Sequence, residues 1–179
     1  VYAQLPLYNQ FVISHYDKTA IKNGKSHEFV DVKTVGQIIV KVGWNQTSKA
    51  SGIAKEAKLL IESWDKLIDL KHNEMDKIKN EIVQLLEQDQ LILVEEKHNK
   101  SPEIFDITCN DERFWKLVRM VILLEQVNSM LVLGHNRIFP TKFFRKKQQA
   151  LVKPLRMVLN QIAKDGKRFF KLKKESLPA

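Results

Sequence analysis

The 179-residue sequence has little cysteine, glycine or proline: Cys109 is its single cysteine, and it contains six glycines and five prolines. One thiol excludes an intrachain disulfide and a thiolate metal cage. So few turn residues argue against a sandwich or barrel. No run reaches the ~18 uncharged apolar residues of a membrane span. Position 1 is Val and opens no signal-like segment, so we expect a cytoplasmic protein, although its true start can lie upstream.

Short catalytic motifs are also missing from the sequence. It has no phosphate-binding glycine loop, no serine nucleophile flanked by glycines and no His-Glu-x-x-His metal motif. His72 and Asp76 stand four residues apart, but two ligands do not make a metal site. We therefore predict that the protein is not an enzyme and that it uses no cofactor and no metal.

Positive charge is what the sequence has in excess, and this excess is localised. The whole chain carries a net charge of +9. Residues 135–174 contain 13 basic residues and one acidic residue, a net charge of +12, whereas residues 1–134 hold 17 basic and 19 acidic residues. Such a block is typical of a protein that binds a polyanion. Double-stranded DNA is the favoured partner, an anionic membrane surface is the lesser option, and a solvated basic face with no partner remains the alternative.

The pattern of apolar residues predicts a mainly α protein with short β elements (α+β). Residues 1–34 are interpreted as a loosely structured arm, 35–166 as one DNA-binding and dimerisation domain, and 167–179 as a basic tail. Within the domain, Val35 to Trp44 is rich in β-branched residues and reads as a strand. Its alternation places Ile38, Val40, Val42 and Trp44 on an apolar face, while Gln37, Ile39, Lys41 and Gly43 lie on the opposite face.

Helical periodicity follows the predicted strand. An apolar stripe runs from Ala57 to Leu85, either as one long helix or as two that meet near residues 69–73. Residues 91–108 read as a β-hairpin, and residues 112–133 as a strongly apolar helix. A last helix extends from Thr141 to about Lys164, where Pro154 should kink or split it and Gly166 should end it.

A single strand needs a partner for its backbone, and two partners are possible for Val35 to Trp44. It can pair with the hairpin, or with the same strand of a second subunit. The second arrangement gives a two-stranded ribbon that fits the major groove of DNA, with Ile38, Val40 and Val42 as the dimer core. Gln37, Ile39 and Lys41 would then read base edges. The residues expected to neutralise phosphates are Lys49, Arg145, Lys146, Lys147, Lys153 and Arg156. The alternative is a plain core strand with two polar residues facing solvent.

The element order resembles that of a known family. A basic strand leading into amphipathic helices is similar to the ribbon-helix-helix proteins. The further hairpin, the apolar helix after Asn110-Asp111 and the basic helix from Thr141 resemble the AcaB-type transcriptional regulators of conjugative plasmids and integrative elements. This resemblance covers about residues 35–168. The Gly-x-Ser/Thr/Asn phosphate-clamping turn of ribbon-helix-helix domains is not matched, because residues 69–73 are a poor substitute.

The resemblance implies a homodimeric regulator, and more specifically an activator, of transcription of conjugative transfer genes, with RNA polymerase as a possible further partner and no membrane association. Two alternatives come from other classes. One is a helical scaffold whose seam from Ala57 to Leu85 binds a partner helix. The other is a single-stranded nucleic-acid binder that uses Phe169 and Phe170 among the surrounding cations.

Overall fold

The computed structural model describes residues 1–21, 29–88, 100–135 and 139–176. Its elements are β1 (Tyr2–Leu7), α1 (Gln10–Tyr16), α2 (Val32–Gly43), α3 (Ser51–Gln88), β2 (Glu103–Thr108), α4 (Glu112–His135) and α5 (Thr141–Glu175). Short 3-10 turns cover Lys18–Ala20 and Trp44–Thr47. The prediction of a mainly α fold with short β elements is therefore confirmed.

Three long helices, α3, α4 and α5, form the body of the protein. The predicted stripe from Ala57 to Leu85 lies on one helix, α3, which is not divided at residues 69–73. Its apolar residues face α4 and α5, because one face of a 3.6-residue period must be buried to stabilise so long a helix. Two hydrogen bonds show that α5 runs antiparallel to α3. Lys147, early in α5, bonds Glu81 late in α3, and Asp165, late in α5, bonds Trp64 early in α3.

The central helix of this body is α4. Among the described helices, α4 is the one long and apolar enough to cross a membrane by length and composition. Within its most apolar window, 56% of the residues are buried by the rest of the chain. The side chains of Leu117, Val121 and Leu124 are fully buried there, so packing among neighbouring helices accounts for the apolar composition.

The predicted strand at residues 35–44 is wrong, because this segment belongs to α2. The Asp31 carboxylate caps the helix by accepting a hydrogen bond from the Thr34 N–H at 2.8 Å. The fully buried residues Val32, Val35, Ile39 and Val42 recur at helical spacing and form its inner face. The β-branched composition favours a strand, but burial of this stripe against α4 and α5 favours a helix and outweighs the propensity.

The loosely structured arm predicted for residues 1–34 is likewise wrong where the structure describes it. β1 pairs antiparallel with β2, placing Tyr2 opposite Thr108 and Leu7 opposite Glu103. The partner of β2 is therefore a strand about a hundred residues away. The first strand expected for the hairpin, residues 91–95, and residues 97–99 of its turn at 97–101 lie outside the described residues.

The last helix, α5, is longer than predicted. It continues through Pro154 without being split and ends at Glu175, so the expected end near Lys164 is wrong. Proline leaves the carbonyl four residues earlier without its helical donor, and Ala150, which carries that carbonyl, is exposed to solvent. Gly166 lies inside the helix at its crossing with α2, where an added Cβ would lie 2.5 Å from Ile38 Cγ2. This glycine therefore allows close packing and does not end the helix.

Candidate nucleic-acid interface

Six lysines of the basic block lie in a row along the solvent side of α5. Helical geometry places six exposed lysines within a sector of about 60° over a length of about 43 Å. We call this row the α5 ridge, and it consists of Lys142, Lys146, Lys153, Lys164, Lys167 and Lys171. Glu175 lies 3.9 Å from Lys171 and is exposed, so this pair is weak. The ridge therefore concentrates positive charge on one side of the molecule.

The one acidic residue in the block, Asp165, does not neutralise the ridge. Its Oδ2 accepts a hydrogen bond from the Trp64 indole Nε1 at 3.0 Å, and its Oδ1 accepts one from Gln161 Nε2 at 2.9 Å. Trp64 is fully buried, and its N–H needs an acceptor. The carboxylate is thus turned toward α3, which leaves the opposite side of α5 to cations.

The predicted phosphate-binding residues divide into two groups. Lys49, before α3, and Arg145, Lys146 and Lys153, on α5, are exposed. Lys147 is instead held by Glu81 at 3.0 Å and lies over the Phe143 ring. An internal ion pair competes with a phosphate for the same donors, so Lys147 is a poorer phosphate ligand than its neighbours.

Arg156 also belongs to the second group. Its Nε donates to His15 Nε2 at 3.0 Å, and its guanidinium lies over the Phe29 ring. His15 Nδ1 donates in turn to the Phe11 carbonyl at 2.7 Å, which fixes the neutral tautomer that can accept from arginine. Burial lowers the pKa of Arg156. Arg156 therefore joins α5 to α1, and its part in the predicted phosphate surface is reduced.

The predicted base-reading residues do not lie on a common face. Gln37 and Lys41 are exposed on α2, four residues apart and therefore on one side of the helix. Ile39 is fully buried in the core, so it is unable to contact a base edge. The helix keeps Gln37 and Lys41 together at the surface and removes Ile39, since positions two apart on a helix point in different directions.

The predicted dimer core is also distributed differently. Val42 is fully buried within its own chain. Ile38 is half-buried against Gly166, and Val40 is half-buried at the edge of a groove. A symmetric ribbon at these positions is therefore excluded, and the argument for a dimer that depended on the ribbon no longer holds.

The surfaces proposed for the two alternative functions are mostly buried, although Phe170 is only half-buried against the core. Ala57, Trp64, Ile68 and Ile82 of the α3 seam are fully buried against the chain's own helices, so the seam is not open to a partner helix. Phe169 is 1% exposed and packs in the core, which leaves it unable to stack on a base.

A groove that the sequence did not predict lies between α2 and the turn from β2 to α4. Two adjoining cavities of about 270 and 430 Å³ share Val40, Trp44, Thr108 and Cys109 in their walls. Trp44 is 73% exposed at the rim, on the same side of α2 as Gln37 and Lys41. The sequence feature that could have indicated this site is the spacing of residues 37, 41 and 44. These positions share one face only if the segment is a helix.

Metal ligands do not cluster in the part of the chain that the structure describes: no group of three His, Cys, Asp or Glu side chains is placed to hold an ion there. His72 Nε2 and Asp76 Oδ2 lie 3.9 Å apart on the surface of α3 as an i, i+4 pair. Their arrangement is that of a solvated helix surface.

Known proteins are similar to this chain in fold. No protein-family model and no curated protein matches the sequence. The mainly α fold of this chain, with its two-stranded antiparallel sheet, is similar to that of a solved structure. That structure is the selenomethionine-containing AcaB from uropathogenic E. coli, with a TM-score of 0.63 and 13% sequence identity, covering 94% of this chain and 80% of AcaB. The predicted resemblance to AcaB is confirmed at the level of the fold.

Proposed function

We propose that this protein is a sequence-specific regulator of transcription that binds duplex DNA through the α5 ridge. The observation that carries the proposal is the row of exposed lysines with its single interior acid, Asp165, turned inward. A row of about 43 Å is long enough to reach phosphates on both sides of a major groove, which is about 12 Å wide. Phosphate contacts of this kind supply affinity and position the protein without reading sequence.

Sequence reading is assigned to α2. Gln37 and Lys41 can bond adenine and guanine edges from an α-helix as well as from a strand, because the major groove admits either element. α2 crosses α5 where Ile38 contacts Gly166, and Gly166 is followed in the chain by the ridge residue Lys167. Phosphate binding and base reading would therefore lie on neighbouring surfaces.

The regulatory role is proposed from the AcaB-like fold and the resemblance to AcaB-type regulators. On this basis the protein acts as a homodimer in the cytoplasm and activates conjugative transfer genes, with RNA polymerase as a further partner. The dimer requires an interface other than the ribbon at residues 35–44. An anionic membrane would attract the same surface lysines. Binding to DNA is therefore tested directly, by salt titration on defined duplexes.

Neutralising part of the ridge should weaken the salt dependence of DNA binding. In the triple variant Lys146→Gln, Lys153→Gln, Lys164→Gln, each lost phosphate contact removes about 0.9 from the slope of log affinity against log salt, up to about 2.7 in total. A fluorescence-anisotropy titration of a labelled duplex at several salt concentrations measures this slope. The effect should be the same for every DNA sequence.

The matched control removes the same charge from another surface. Lys55, Lys58 and Lys66 are exposed on α3, so the variant Lys55→Gln, Lys58→Gln, Lys66→Gln has the same net charge as the ridge variant. We expect it to keep a slope close to that of the unmodified protein. Equal slopes for the two triple variants would contradict the assignment of phosphate contacts to the α5 ridge.

Base reading by α2 makes a different prediction. Gln37→Ala and Lys41→Ala should each weaken binding to the preferred duplex by about 1–3 kcal/mol while binding to random duplex changes little. The preferred duplex would be obtained by selecting bound sequences from a random library. Thr34→Ala, also exposed on α2, is the control. Equal losses on both duplexes would move these side chains to the phosphate-contacting class.

A further inference from the structure

Trp44 is presented to solvent on a rigid corner of the chain. It follows α2 directly, and its backbone N–H donates to the carbonyls of Val40 and Val42. The next residue, the buried Asn45, donates from Nδ2 to the Lys41 carbonyl at 2.7 Å. Gln46 Nε2 donates to the Gly43 carbonyl at 3.3 Å. The turn is therefore held by its own hydrogen bonds, while 73% of the Trp44 side chain remains exposed.

The groove beside this indole has room and suitable chemistry for a planar ligand. Its larger cavity, about 430 Å³, lies within the size range of small-molecule sites. Val40 and Gly43 line one wall, and residues 108–111 line the other. Thr108, Gln46 and Asn110 also line it; Asn110 Oδ1 already accepts a hydrogen bond from the N-terminal ammonium of Val1 at 2.8 Å, and its amide nitrogen has no hydrogen bond of its own to any residue that the structure describes. Amides and hydroxyls offer both donors and acceptors, which is what the edge of a nucleobase requires.

A lysine, Lys41, lies at the rim of the groove. Lys33, which lines the smaller cavity, is already paired with Asp17 at 2.8 Å. Lys41 lines the same cavity, is exposed and has no ion-pair partner among residues 1–21, 29–88, 100–135 and 139–176. A ligand that combines a flat aromatic ring with a nearby negative charge would satisfy both the indole and this lysine.

We propose that the groove between α2 and residues 108–111 binds a nucleotide, with the base stacked on Trp44 and the phosphate at Lys41. The same chemistry is offered by a free mononucleotide and by an unpaired nucleotide in a DNA strand. This site does not depend on the α5 ridge, since its aromatic and amide groups belong to α2, the turn after it and the β2–α4 turn, but it shares Lys41 with the proposed base-reading surface of α2. Binding of a mononucleotide can therefore be tested whether or not the protein binds duplex DNA.

The single thiol of the chain provides a direct probe. Cys109 is half-buried and lines both cavities. With the full chain, adenosine monophosphate should slow alkylation of Cys109 by iodoacetamide, because the bound base covers the sulfur. Benzoate and ribose 5-phosphate, which carry only the ring with an acid or only the sugar phosphate, should protect far less at equal concentration.

Three substitutions and two matched controls identify the contacts. Trp44→Leu should weaken nucleotide binding by about 5- to 140-fold, since it removes a base-stacking interaction, whereas Trp44→Phe should retain most of the affinity. Gly43→Leu should fill the groove: an added Cβ would lie 3.7 Å from Asp111 Oδ2, an ordinary contact, so the variant should fold. Lys41→Gln should lower affinity in a salt-dependent way, and Lys66→Gln on α3 should not. Thermal melting checks that each variant is folded.

The source of the nucleotide follows from three probes: free adenosine monophosphate, a single-stranded oligonucleotide and a blunt duplex. Protection of Cys109 by the monophosphate supports the site and identifies a free mononucleotide as its ligand. Protection by the single strand alone supports the site and identifies an unpaired nucleotide of a DNA strand. Protection by none of the three, equal protection by benzoate, or unchanged affinity in folded Trp44→Leu would overturn it. If the two lysine triple variants gave the same salt slope, the assignment of phosphate contacts to the α5 ridge would be contradicted. The proposal of a nucleotide site beside Trp44 would be unaffected.

Discussion

Trp64→Ala should lower the free energy of unfolding by about 3–5 kcal/mol, the range for truncating a large aromatic side chain in a packed core. Trp64 is fully buried on α3 and reaches across to Asp165 on α5, so its loss opens a cavity between the two longest helices. Urea denaturation measures the change. Leu59→Ala is the control: Leu59 is on the same helix but 52% exposed, and we expect a change within about 0.5 kcal/mol.

The hydrogen bond of Trp64 can be separated from its packing. Asp165→Ala leaves the buried indole N–H without its acceptor and should cost about 1–3 kcal/mol, whereas Asp165→Asn keeps a carbonyl oxygen at the same place and should cost less. Neither substitution should weaken DNA binding, because each removes a negative charge from a basic helix. An Asp165→Ala variant as stable as the unmodified protein would show that the indole finds another acceptor.

Gly166→Ala should destabilise the protein by about 1–3 kcal/mol, the usual cost of overpacking. Helix propensity alone predicts that the substitution stabilises the protein, because it favours alanine over glycine by about 1 kcal/mol inside a helix. The contact decides between them: the new Cβ would lie 2.5 Å from Ile38 Cγ2, a β-branched side chain with little freedom to move away. Thermal or urea unfolding of the purified variant reports the sign.

Two further variants test this explanation. Gly52 lies in the first turn of α3 with nothing within 4 Å of an added Cβ, so Gly52→Ala should be neutral or stabilising. Adding Ile38→Ala to Gly166→Ala should recover part of the loss, giving a favourable coupling energy in the double-mutant cycle. A stabilised Gly166→Ala protein would mean that α2 moves away from α5 at little cost.

The error at residues 35–44 has a specific physical origin. A run of β-branched residues and an apolar alternation at 38, 40 and 42 favour a strand, while Val32, Val35, Ile39 and Val42 form a helical stripe in the same segment. The segment therefore carries both the two-residue spacing of apolar side chains typical of a strand and the spacing typical of a helix. The choice depends on what covers the stripe, and the covering elements include α5 and α4, which lie about seventy or more residues further along the chain, as well as the neighbouring α3.

The mainly helical class, the long amphipathic period of α3, the apolar character of α4 and the basic block at residues 135–174 could all be predicted from the sequence. These properties depend on composition and on spacing within one helix. Other features are visible only in the folded chain: β1 pairs with β2, Gly166 allows a helix crossing, and Arg156 and Lys147 are held internally while the α5 ridge stays exposed. The fold also places Trp44 beside the β2–α4 turn. Each of these features joins residues far apart in the chain, and no local pattern specifies which distant groups will meet.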